Sequence, residues 1–182
     1  MKKLFFLTAV VCLAAAASFA QTSAANFSGT WTLDVSKSKL DERSRIESMT
    51  MTVAQTDKEL KVTTETKRQA PPTDAAQGEG RRGMGRGFGQ GDGTTTYSLD
   101  GKETVTQRET RMGSVPVKQT AMLDQGRVRI STSSTFSGQM GEMTIGTKET
   151  WSLSSDGKTL TVERETTSPR GTNSSTMVFG KK

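Results

Sequence analysis

The chain of 182 residues contains no histidine, and its one cysteine, Cys12, sits in an apolar stretch near the N-terminus. Without imidazole there is no Ser-His-Asp or Cys-His catalysis, and no zinc site built on imidazole or paired thiolates. A single cysteine cannot form an internal disulfide, so stability has to come from a hydrophobic core. Calcium needs clustered oxygen ligands, whereas Asp74, Glu79 and Asp92 are scattered through or beside a glycine-rich stretch. Aromatic residues make up 5% of the chain, too few for the two aromatic girdles of an outer-membrane barrel. The sequence predicts no catalytic residue, no metal site and no cofactor.

Long apolar runs are also missing, with one exception. Lys2 and Lys3 precede Leu4 to Ala17, a stretch broken only by Thr8 and followed by Ser18-Phe19-Ala20. A positive start, an apolar middle and small residues at the cut are the marks of an export signal, with cleavage predicted before Gln21. The run is shorter than the roughly 20 apolar residues of a spanning helix. Val10 and Val11 stand before Cys12 where a lipoprotein signal would place a small residue. The expected organisation is a signal peptide over 1–20 and a single domain over 21–182, periplasmic or secreted, with no transmembrane segment in the mature chain. Losing Lys2 and Lys3 leaves 23 basic residues against 19 acidic, a net charge of +4. That favours solubility and weak attraction to anionic envelope surfaces.

What the chain does contain is alternation. Met49, Met51 and Val53 alternate with Thr50, Thr52 and Ala54; Leu60 and Val62 follow the same period. Val115, Val117, Ala121 and Leu123 continue it, as do Val128 with Ile130, Trp151 with Leu153, Leu160 with Val162, and Met177 with Phe179. Period two gives a strand one buried and one wetter face, and threonine suits such strands. Asp100-Gly101 and Asp156-Gly157 mark tight turns, with Asp57-Lys58 and Asp124-Gln125-Gly126 as weaker ones. The spacing predicts strands over 30–34, 46–56, 59–66, 94–99, 102–110, 115–123, 127–135, 143–154, 158–167 and 174–180. Ser38 to Glu47 is read as a short helix with Leu40 and Ile46 as its apolar contacts. The predicted class is all-β, an antiparallel meander closed as a barrel. Tyr97-Ser98-Leu99 with Asp100-Gly101 and Trp151-Ser152-Leu153 with Asp156-Gly157 form a faint repeat, each reading as a hairpin.

Residues 67–93 break the pattern. Pro71 and Pro72 open a stretch that contains Arg81, Arg82 and Arg86 among many glycines. Ordering glycine costs backbone entropy, and few apolar groups are present to offset it, so a flexible insertion between two strands is expected. The arginines and Phe88 invite comparison with nucleic-acid binding, but the expected compartment and the small number of charges argue against it.

The opening strand Phe27-Ser28-Gly29-Thr30-Trp31-Thr32-Leu33-Asp34 resembles that of small exported bacterial proteins with a lipocalin-like (calycin-type) β-barrel. Its Gly29-Thr30-Trp31 is similar to the first lipocalin block, and the Trp151-to-Arg164 segment resembles the late hairpins of those proteins. The resemblance implies a barrel of eight strands, closed at one end by Gly29 and Trp31 with Arg164 packed over the tryptophan. The ten candidate strands exceed that number, so a barrel of eight to ten strands is expected, either ten-stranded like that of fatty-acid-binding proteins or with a bent strand counted twice. The resemblance also implies reversible binding of a small apolar or amphipathic molecule. Met49, Met51, Tyr97 and Met143 are the candidate ligand contacts; ordinary core packing is the simpler account of each methionine alone. Glu163 and Glu165 share a face, and Glu103, Glu109, Glu142 and Glu149 lie in or near strands. A glycosidase pair would need two carboxylates about 5–9.5 Å apart across a cleft; surface solvation explains these residues more simply. The alternative function is a structural or interaction role at the envelope through the outer face and the basic loop.

Overall fold

The computed structural model describes residues 25–41, 44–70, 92–110, 113–138 and 141–182. The alternating segments form ten strands: β1 Gly29–Leu33, β2 Ile46–Gln55, β3 Glu59–Arg68, β4 Gly93–Ser98, β5 Thr104–Thr110, β6 Gly113–Asp124, β7 Arg127–Gly138, β8 Gly141–Leu153, β9 Thr159–Ser168 and β10 Gly171–Lys181. All neighbours are antiparallel, in the order β4-β3-β2-β1-β10-β9-β8-β7-β6-β5. The expected all-β meander is therefore the observed fold, at the upper end of the expected strand number. First and last strands pair, Trp31 opposite Lys181 and Leu33 opposite Phe179, which curls the sheet into a nearly closed barrel.

The barrel is not sealed between β4 and β5, the two edges of the sheet. Edge strands leave backbone groups unpaired, and β6 supplies part of the missing contact. The Gln119 side-chain amide donates to the Thr96 carbonyl at 2.9 Å. At the end of β4, Gly101 N–H donates to the Ala121 carbonyl at 2.9 Å, and Asp100 bridges Met122. This corrects one reading of the repeat. The Trp151 unit is a hairpin, β8 on β9, but the Tyr97 unit is not. Its turn docks on β6, so the strands on either side of it become opposite edges.

The predicted helix over Ser38 to Glu47 is also replaced. A 3-10 turn, Val35–Lys37, capped by Asp34, precedes the segment, and within it Ser44 N–H donates to the Asp41 carbonyl at 2.8 Å. Lys39 then exchanges backbone bonds with Thr176, at 2.7 and 2.9 Å. Leu40 and Ile46 offer too little apolar face to hold a helix, whereas the flank of β10 satisfies the backbone directly. The signal-peptide region and most of the Gly/Arg-rich insertion, with Arg81, Arg82 and Arg86, lie outside the described residues. The flanks of that insertion are strand: β3 runs through Lys67 and Arg68, and β4 starts at Gly93.

The core fills one end of the barrel. Phe27, Trp31, Leu60, Val128, Trp151 and Leu160 have no measurable exposure. Each buried aliphatic side chain contributes about 1.5–3 kcal/mol. The segment before β1 closes this end. Trp31 Nε1–H donates to the Phe27 carbonyl at 2.9 Å, and Phe27 N–H donates to Gln55 Oε1 at 2.8 Å. The Phe27 ring meets Trp151 edge-on, with centroids 6.3 Å apart. Gly29 has φ +141°, and a Cβ there would lie 2.8 Å from Lys181 Cε. The glycine of the Gly-x-Trp motif thus leaves room for that lysine to cross the closed end.

A candidate binding site in the mouth half of the barrel

Because cross-strand partners share a face, the register fixes which side chains point inward. On β9 these are Leu160, Val162, Arg164 and Thr166; on β8 they are Trp151, Glu149, Thr147, Ile145 and Met143. From the closed end outward, Trp151 lies opposite Val162, Glu149 opposite Arg164, and Thr147 opposite Thr166. β7 and β6 change character at the same level. Val128 and Ile130 give way to Thr132 and Ser134, and Ala121 gives way to Gln119. The interior is therefore apolar at the closed end and mixed towards the mouth, where Val117, Phe136, Ile145 and Met143 share the inward face with Thr132, Ser134, Thr147 and Thr166.

At the transition stands a three-residue polar cluster. Arg164 Nε donates to Glu149 Oε1 at 2.8 Å, and Arg164 Nη2 lies 2.8 Å from the same oxygen. Trp151 Nε1–H donates to Glu149 Oε2 at 2.8 Å. The carboxylate side chain is 5% exposed and the guanidinium side chain 16%. A buried charge needs such partners, since an unpaired one would cost several kcal/mol. Both carboxylate oxygens are engaged, so Glu149 acts as an acceptor that orients Trp151 and Arg164 rather than as a free base. Further round the interior, beside Met49 in register, Thr66 carries a buried hydroxyl with no hydrogen-bond partner in the structure.

The residues singled out in the sequence are divided between the two halves. Met49, Met51 and Tyr97 are buried in the packed core, while Met143 is half-buried opposite Phe136, near the mouth. Gly29 and Trp31 lie at the closed end, where the cation over Trp31 belongs to Lys181, with Nζ 5.1 Å from the ring centroid. Arg164 is engaged with Glu149 instead. Glu163 and Glu165 are exposed on the outer face, but Glu149 is interior, contrary to its reading as a solvated surface carboxylate. The signal was present: Glu149 stands two residues before Trp151 and Arg164 two after Val162, both in the phase of the core. Gln119 was missed for the same reason, sharing the phase of Val117 and Ala121.

No protein-family model matches the sequence, and no curated protein is significantly similar to it. Among solved structures the chain is similar to the zebrafish ileal bile acid-binding protein complexed with cholic acid, at 15% identity and a TM-score of 0.49, covering 86% of this chain and 98% of that one. It is also similar to the fatty-acid-binding protein of Manduca sexta, at 12% identity and a TM-score of 0.46, covering 85% of this chain and 99% of that one.

Proposed function

We propose that the protein is exported and binds a small amphipathic molecule, without catalysis, in the mouth half of its barrel. One observation carries the binding reading. Arg164 lies within β9, between β8 and β10, and faces the interior, yet its side chain keeps 16% of its exposure. Two hydrogen-bonded neighbouring strands screen it from the outer face, so the exposure comes from the mouth. Nearer the mouth, the inward-facing Thr147, Ile145, Met143, Thr132 and Phe136 are likewise only half-buried. Displacing water from Met143, Ile145 and Phe136 favours an apolar body, while the hydroxyls and the Glu149–Arg164 pair offer hydrogen bonds to a polar group. Export rests on the Lys2-Lys3 start, the apolar Leu4–Ala17 run and the Ser18-Phe19-Ala20 site.

The test is native mass spectrometry of the protein purified from its own host without detergent. The expected species begins at Gln21 and carries a reproducible extra mass that denaturation releases. A bare polypeptide would move the function to the outer face, and a species retaining residues 1–20 would overturn the export reading.

A further inference from the structure

We infer that the mouth half selects an uncharged polar head, such as an alcohol or a primary amide, over a carboxylate or an ammonium. The inference rests on the binding function proposed above and concerns the ligand class. At the inner limit of the mouth half, Glu149 and Arg164 already neutralise one another, with both carboxylate oxygens engaged. A ligand carboxylate brought against this pair would place a second anion beside Glu149. Two carboxylates sharing one cation cannot both stay ionised cheaply in a site poor in water. A ligand ammonium would meet the guanidinium at the same place. Either charge would also lose its hydration without gaining an unspent counter-charge.

A neutral hydroxyl or amide meets neither obstacle. Three N–H contacts occupy the Glu149 carboxylate, which has about four acceptor positions. One position remains for a donor. The surrounding interior groups, Thr132, Thr147, Thr166 and Ser134, are neutral and both give and accept hydrogen bonds. The Thr66 hydroxyl, buried without a partner, is a further neutral group of the kind that buried sites normally satisfy. Among the described residues two cations share the inward phase nearer the mouth: Arg108, half-buried on β5 opposite Val115, and Arg68, exposed at the end of β3 two residues beyond Thr66. They belong to the rim, so a head held there would leave the inner pair untouched.

The experiment is titration calorimetry of the mature protein with four probes of one chain length: decanol, decanamide, decanoate and decylammonium. Decanol and decanamide are expected to bind about tenfold more tightly than the charged pair, a difference worth ~1.4 kcal/mol. Glu149→Gln keeps an oxygen for Trp151 but removes the anion that would repel a ligand carboxylate beside Arg164, so decanoate should gain on decanol in that variant. Decanoate binding as tightly as decanol to the unmodified protein would overturn the inference while leaving the binding barrel standing. Loss of such decanoate binding in Arg108→Gln would locate the head at the rim, also against the inference. Failure of all four probes to bind would instead overturn the binding function itself. The comparison on the unmodified protein decides the matter even if Glu149→Gln does not fold.

Discussion

At the scale of single residues, Arg164 and Glu149 depend on each other. Each stabilises the other inside the barrel, 2.8 Å away. Arg164→Met would leave the Glu149 carboxylate buried with the Trp151 indole as its one remaining contact in the cluster. Breaking a buried pair from one side costs about 3–5 kcal/mol, so urea denaturation should show a loss of that order. A loss below ~1 kcal/mol is what exposed pairs give, and would mean that the interior at Arg164 is far wetter than its exposure indicates. Arg164→Lys should restore little, since one ammonium cannot reproduce two guanidinium nitrogens set against a single oxygen.

At the scale of elements, the turns carry their own chemistry. Asp34 is held below the ordinary aspartate value of 3.8 chiefly by the Ser36 side chain and then by Lys37. Asp100 is lowered chiefly by the Lys102 backbone N–H, and Asp156 by the Ser154 hydroxyl and then the Lys158 N–H. In each case the folded chain favours the ionised form. The stabilisation is therefore complete above the unfolded value of 3.8 and is lost as pH falls through the lower folded values. Denaturation midpoints should decline on that acid limb. Combined Asp34→Asn, Asp100→Asn and Asp156→Asn substitutions should flatten it, and an unchanged acid limb in the triple variant would show that these turns do not contribute. The strands were legible in the sequence because period two is a local property: all ten lie within a few residues of their expected bounds. The helix expected near Leu40 failed because its segment finds backbone partners on β10, which is 130 or more residues further along the chain.

At the scale of the molecule, the seam between β4 and β5 is the weak line of the barrel. β1 and β10 exchange backbone bonds, whereas β4 meets the next wall through the Gln119 side chain and the Gly101 turn. Gln119→Ala removes one of those links, at about 1 kcal/mol. Amide hydrogen exchange should then quicken by about fivefold over Thr94–Ser98, with the Trp31–Leu33 amides unchanged. Equal acceleration at both seams would show that Gln119 supports the whole fold rather than closing this slot.

The sequence by itself determined the strands, most of their turns, the composition that rules out histidine and disulfide chemistry, and the all-β meander. These follow from residue type and from spacing over a few positions. Only the tertiary structure decided that Lys181 rather than Arg164 lies over Trp31, and that Glu149 is inside. It alone decided that the Tyr97 repeat opens the barrel where the Trp151 repeat closes a hairpin. The physical reason is common to all three. Alternation shows that a residue shares a face with the core, but not its depth along that face or the strand it meets. Depth and partner are set by register and closure, which bring together residues such as Trp31 and Lys181 from opposite ends of the chain.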